Sequence, residues 1–121
     1  MGKTILVVDD SASLRQVVHL ALQSAGYEVI EACDGKDALG KLDGKKVHLI
    51  ISDVNMPNMD GISLVKEVKK QPSYKFTPII MLTTEAGENR KQEGQAAGAK
   101  AWVVKPFQPQ QMLAAVAKLV M

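Results

Sequence analysis

Thiol and aromatic chemistry are scarce in this chain: 121 residues hold one cysteine, one tryptophan, two tyrosines and two phenylalanines. A lone Cys33 excludes an internal disulfide, and beside a strand-like run it is expected to be a small packed hydrophobe. Long apolar runs are missing too. No stretch approaches the roughly 18 residues that a membrane-crossing helix needs, and Met1-Gly2-Lys3 leads into a strand-like run without an apolar signal region. A cytoplasmic protein that does not enter membranes is expected. Charge of one sign is also absent, with 15 basic against 13 acidic residues and a net charge of +2. The two signs are interspersed, with no basic block or stripe to follow a phosphate backbone, so direct nucleic-acid binding is not expected. There is no repeat and no low-complexity segment. With 46% hydrophobic and 23% charged residues, the composition is that of an ordinary globular chain that buries a core without staples. One domain over 1–121 fits this length, with no room for an output domain.

What the chain does have is four short apolar runs, each ending in a polar residue. Ile5-Leu6-Val7-Val8 ends in Asp9-Asp10, Leu49-Ile50-Ile51 leads to Asp53, Ile79-Ile80-Met81-Leu82 ends in Thr83, and Trp102-Val103-Val104 ends in Lys105. Continuous β-branched runs are the mark of parallel strands buried on both faces. In open α/β sheets ligands sit outside the carboxyl ends of such strands. Three carboxylates, a hydroxyl and an ammonium would therefore meet at one edge. Clustered carboxylates repel unless a cation joins them, and an all-oxygen ligand set suits a hard divalent ion such as Mg2+.

Helix-like periodicity alternates with these runs, which predicts repeated βα units with helices on both faces of a parallel sheet. After a strand over Thr4 to Val8, the residues Leu14, Val17, Val18, Ala21 and Ala25 follow helical spacing, with Ser11 as cap and Gly26 as stop. Tyr27 to Ile30 reads as a short strand. Asp34 caps a second helix that Gly44 closes. Val47 to Ser52 is the most apolar strand and is expected at the centre. Asp60-Gly61 opens a third helix with Leu64, Val65 and Val68 inward, and Pro72 and Pro78 bracket an irregular crossing. A fourth helix over Ala86 to Ala97 contains Gly87 and Gly94, each costing about 1 kcal/mol relative to alanine. The fifth places Leu113, Val116, Ala117 and Val120 in its buried stripe. His19 and His48, on a helix and a strand, read as structural.

In combination the acidic pair Asp9-Asp10, the segment Asp53-Val54-Asn55-Met56-Pro57-Asn58-Met59-Asp60-Gly61, Thr83-Thr84-Glu85, Ala96-Ala97-Gly98-Ala99 and Lys105-Pro106-Phe107 resemble the receiver domain of bacterial two-component response regulators. Within that family the likeness is to the free-standing chemotaxis regulators of the CheY type, and it covers essentially the whole chain. Asp53 lies 30 residues before Thr83 and 52 before Lys105, the family's spacing without gaps. The resemblance implies a doubly wound five-stranded parallel sheet of order 2-1-3-4-5 with five helices, a flavodoxin-like fold that the right-handed crossover rule also favours. It implies Asp53 as phosphoacceptor, and Asp10 directly, Asp9 largely through water, Asp53 and the Asn55 carbonyl as holders of Mg2+. Lys105 is expected on a phosphoryl oxygen and Thr83 as the hydroxyl that moves onto the phosphoryl group. Asn55 and Glu85 are expected to tune the attack of water, and the Lys105-Pro106 bond to be cis.

Trp102 occupies the family's aromatic switch position. It reads equally as an edge-strand core aromatic and as a partly exposed partner contact. The implied activity is a phosphoacceptor switch with Mg2+-dependent self-phosphorylation and self-dephosphorylation, rather than an enzyme acting on other molecules. A sensor histidine kinase of the CheA kind is the implied phosphodonor. The output face is expected on the fourth helix, fifth strand and fifth helix, with the flagellar switch as one target and a monomer as the default state. Glu88, Lys91 and Gln95 make the fourth helix more polar than a motor-binding surface, so a phosphate sink or a non-flagellar pathway stays as an alternative. Two other classes fit less well. A phosphatase of the haloacid dehalogenase type needs a second acid where Asn55 stands, and a flavin carrier needs phosphate donors where Asp9-Asp10 is acidic.

Overall fold

Alternating apolar runs and helix caps become a single parallel sheet in the computed structural model, which describes residues 3–42, 44, 46–54, 59–83, 96–104 and 109–120, with Thr83 and Val104 described by their backbone. In chain order the elements are β1 (Thr4–Val8), α1 (Ala12–Ser24), β2 (Glu28–Ala32), α2 (Gly35–Leu42), β3 (Leu49–Asp53) and α3 (Gly61–Lys69). A 3-10 turn (Pro72–Tyr74), β4 (Ile79–Thr83), β5 (Ala101–Val104) and α4 (Pro109–Leu119) follow. Every strand pairing is parallel, and the order is β2-β1-β3-β4-β5. This is the expected doubly wound topology. The predicted helix over 86–97 lies outside the described residues except for Ala96 and Ala97, which are helical.

The strand alternation divides the interior in two. Leu6, Val8, Ile50, Ile79 and Met81 face α2 and α3, where they pack with Ala38, Leu42, Leu64, Val65 and Val68. Ile5, Val7, Leu49, Ile51, Ile80 and Leu82 face α1 and α4, meeting Val18, Leu22, Met112 and Val116. Central β3 is buried at all five positions, as a strand covered on both faces requires.

Local chemistry sets the helix starts. Ser11 Oγ accepts from the Leu14 N–H at 3.3 Å, Asp34 Oδ1 from Asp37 at 2.8 Å and Asp60 Oδ1 from Ser63 at 2.7 Å, each satisfying a donor that the first turn leaves open. Gly26, at φ 95°, leaves α1 through the left-handed region. Tyr74 in the 3-10 turn is buried, and its hydroxyl donates to the Leu42 carbonyl at 2.7 Å, tying the end of α2 to the crossing before β4.

Several sequence expectations are displaced. β2 begins one residue later than expected and runs to Ala32; β3 begins at Leu49 and includes Asp53. In α1 the buried pair is Val18 and Leu22, whereas Val17 is half exposed and Ala25 exposed. One step along a helix turns the side chain by about 100°, so the seat taken by Val18 turns Val17 outward. In α4 Met112 replaces Ala117, which is exposed. Cys33 is exposed rather than packed, because it follows β2 where the chain turns into α2.

Candidate functional site

Asp9 and Asp10 follow β1 directly, and Asp53 is the last residue of β3. Because β1 and β3 are paired neighbours with Val8 opposite Ser52, the two acidic strand ends emerge side by side. One carboxylate oxygen from each of Asp9, Asp10 and Asp53 can be chosen so that all three lie within 4.8 Å of one another. Asp9 and Asp53 are buried at 2% and 7% exposure, while Asp10 is exposed to solvent. Like charges at that separation repel by roughly 3 kcal/mol per pair at an effective dielectric near 20. The donor set is oxygen throughout, two walls are buried and one side is open to water, which fits a hard divalent cation that retains some of its waters.

Backbone donors hold the carboxylates. Asp9 Oδ1 accepts from the Ser11 N–H at 2.8 Å, and Asp53 Oδ1 accepts from the Val54 N–H at 2.8 Å. The start of α1 lies just beyond the acidic pair, so its positive end faces them. The strand end itself is locked: Ser52 Oγ donates to the Asp53 carbonyl at 2.9 Å, and the Gly61 N–H donates to the Val54 carbonyl at 2.8 Å. Gly61 is required by this approach. A Cβ there would run into the Asp53 carbonyl oxygen and come within 2.6 Å of Met81 Cε.

The fold thus brings together three of the sequence-predicted residues, Asp9, Asp10 and Asp53. The Thr83 backbone ends β4 with Val104 opposite it on β5. Asn55, Glu85, Lys105 and the Lys105-Pro106 bond lie outside the described residues. Trp102 sits on β5 opposite Met81, partly buried against the α2–α3 core. Its indole Nε1 is buried and finds no hydrogen-bond partner. Both histidines have structural bonds: His48 Nδ1 accepts from the Thr4 N–H at 3.0 Å, and His19 Nδ1 lies 2.6 Å from Glu31 Oε2.

Arg15 went unnoticed in the sequence. Its Nη1 donates to the backbone carbonyl of Asp9 at 2.6 Å and its Nε to Glu31 Oε1 at 2.9 Å. Burial pushes the Glu31 carboxyl up, but the hydrogen bonds from Arg15 and His19 outweigh it and hold the group below the usual glutamate range. The available signal was slight: Arg15 and His19 are four apart and share one face of α1.

Comparison with known proteins points the same way. The family profile described as "Response regulator receiver domain" matches residues 5–117. A crystal structure of chemotaxis protein CheY4 from Vibrio cholerae is 51% identical in sequence and superimposes with a TM-score of 0.94, covering 98% of this chain and 99% of that one. Chemotaxis protein CheY1 of Helicobacter pylori is 44% identical over 108 residues, which are 88% of this chain and 87% of that protein. The phosphate regulon transcriptional regulatory protein PhoB of Pseudomonas aeruginosa is 39% identical over 114 residues, 94% of this chain, but the chain spans only 50% of that protein's length.

Proposed function

The chain belongs to the response regulator receiver domain family, and from that premise we propose that it is a Mg2+-dependent phosphoacceptor switch whose nucleophile is Asp53. The observation that carries this reading is the meeting of Asp9, Asp10 and Asp53 within 4.8 Å at the carboxyl edge of two paired strands. A carboxylate oxygen of Asp53 attacks phosphorus, the bond from phosphorus to the donor histidine's nitrogen breaks, and the imidazole leaves with the electron pair and takes up a proton. The product is an acyl phosphate on Asp53. Asp10 would hold Mg2+ directly, Asp9 largely through water, and Asp53 and the Asn55 carbonyl would complete the protein ligands. When bound, the cation neutralises charge on the transferring phosphoryl oxygens. Lys105 is placed by this reading on another of those oxygens, and Thr83 moves its hydroxyl to the phosphoryl group. Asn55 and Glu85, two residues beyond Asp53 and Thr83, set the rate at which water removes it.

The same reading makes a sensor histidine kinase of the CheA kind the phosphodonor and gives the protein a cytoplasmic, monomeric resting state. Among the described residues no helix is long and apolar enough to cross a membrane. A stand-alone chemotaxis-type role is supported by the near-full coverage of CheY1 and CheY4, against half of PhoB. Signal would leave through β5, α4 and the helix that ends at Ala97, with Trp102 as the aromatic reporter. The polar residues Glu88, Lys91 and Gln95 favour a second reading, in which the target is not the flagellar switch and the protein acts as a phosphate sink or in another pathway. Binding to a flagellar switch peptide that strengthens with beryllofluoride would decide for the motor.

The phosphoacceptor itself is tested by following Trp102 fluorescence and thermal unfolding as Mg2+ and then beryllofluoride are added to wild type and Asp53→Asn. Binding only to the folded state raises stability by about 2.7 kcal/mol at 100 times Kd. The expected result is a saturable, Mg2+-dependent rise in wild type that the variant lacks. Treatment with acetyl phosphate should add one phosphoryl mass to wild type alone; no adduct refutes the assignment.

A further inference from the structure

The guanidinium of Arg15 makes a fork between two elements. One arm reaches the Asp9 carbonyl at 2.6 Å and the other reaches Glu31 on β2 at 2.9 Å. Glu31 is itself held from several sides, by His19 at 2.6 Å on its other oxygen and by Lys41 Nζ, which donates to its backbone carbonyl at 3.2 Å. Arg15 and Glu31 side chains are 18% and 36% exposed, so this pair is better shielded than the fully exposed kind that contributes little. The carbonyl that Arg15 grips belongs to the peptide plane joining Asp9 to Asp10. A single bond there fixes the backbone between two of the three clustered carboxylates, while the Ser11 N–H fixes one Asp9 oxygen from the other side.

We propose that Arg15, braced by Glu31, is a positioning residue that sets the cation affinity of the acidic site by holding the Asp9–Asp10 peptide. This rests on the reading of that site as a Mg2+ site. It opposes what charge alone predicts. A positive group next to a cation site weakens cation binding, so removing it should tighten Mg2+ if Coulomb repulsion were its only effect. Loss of a group that orients a metal ligand weakens affinity instead, typically 10- to 100-fold. The two accounts therefore differ in sign.

The experiment is calorimetric titration of Mg2+ into wild type, Arg15→Gln, Arg15→Lys and Glu31→Gln, with thermal unfolding in Mg2+-free buffer to establish that each is folded. Arg15→Gln should raise the Mg2+ Kd at least about tenfold. Arg15→Lys keeps the charge but has one ammonium in place of the fork, and should fall between. Glu31→Gln, which leaves Arg15 present but unbraced, should also weaken binding. At saturating Mg2+, the rate of phosphorylation by acetyl phosphate should stay within about twofold of wild type, separating positioning of the cation site from a role in the transfer step. Unchanged or tighter Mg2+ binding in Arg15→Gln overturns the proposal. Should that variant not fold, unchanged binding in Glu31→Gln overturns it as well. Absence of Mg2+ binding to the wild type is a different result, which would remove the reading of the site itself.

Discussion

Two glycines on adjacent helices should respond to the same substitution with opposite sign. At Gly61, the first residue of α3, an added methyl meets the Asp53 carbonyl and lies 2.6 Å from Met81 Cε. The methionine methyl can swing away, but the carbonyl is backbone in a central strand and cannot. Overpacking of this kind costs about 1–3 kcal/mol, and the gain from restricting the unfolded chain returns about 0.4–1 kcal/mol. The balance is a loss of about 1–2 kcal/mol. At Gly40, on the exposed side of α2, a methyl meets no atom within 4 Å, so only the gain remains, about 0.5–1 kcal/mol. For 121 residues the unfolding entropy is roughly 0.25 kcal/mol/K. Gly61→Ala should lower Tm by about 4–8 °C and Gly40→Ala should raise it by about 2–4 °C. Circular dichroism at 222 nm during thermal unfolding reads both. A rise in Tm for Gly61→Ala would refute the steric argument, because helix propensity would then outweigh the contact with Asp53.

Tyr74→Phe removes the donor to the buried Leu42 carbonyl and should cost about 1–2 kcal/mol, seen as a lower urea midpoint at unchanged slope; an unchanged midpoint means the bond contributes nothing. The lowered Glu31 carboxyl gives a pH prediction whose sign follows from linkage. Its unfolded form takes up a proton first as pH falls, so its contribution is complete above 4.5 and is lost as pH drops through the lowered folded value. Glu31→Gln should therefore reduce the fall in Tm between about pH 6 and the folded titration range. Equal acid sensitivity in both proteins would show that the Arg15–Glu31–His19 cluster does not stabilise the fold.

Strand ends were legible in the sequence because a buried parallel strand must be apolar throughout, and its first polar residue marks where burial stops. Asp9, Asp10 and Asp53 follow directly from that rule, and the caps Ser11, Asp34 and Asp60 from the chemistry of a first helical turn. Helix phase was less legible. In α1, Val17, Val18, Ala21 and Leu22 are all apolar, so the sequence admits two stripes about 100° apart, and only the fit to the sheet selects Val18 with Leu22. The hold of Arg15 on Asp9 was not legible either. It depends on β2 lying beside β1, which brings Glu31 next to α1, and that adjacency is a property of the assembled sheet. Cys33 misled for a similar reason, since a residue one step past a strand end takes its environment from the turn.

Parallel pairing also sets an order of assembly. No two neighbouring strands are close in sequence: the paired positions Thr4 and Glu28 are 24 residues apart, Ile5 and Leu49 are 44 apart, and Ile80 and Ala101 are 21 apart. No hairpin can zip, and each ladder waits for a large loop to close, which places folding on a slower timescale than local helix formation. On a growing chain the three carboxylates need nothing beyond residue 53, whereas the strand carrying Trp102 cannot dock until about fifty more residues have been made. The acidic cluster can thus be in place before the edge that would report its state exists, and nascent chains would be able to take up Mg2+ before they were able to signal.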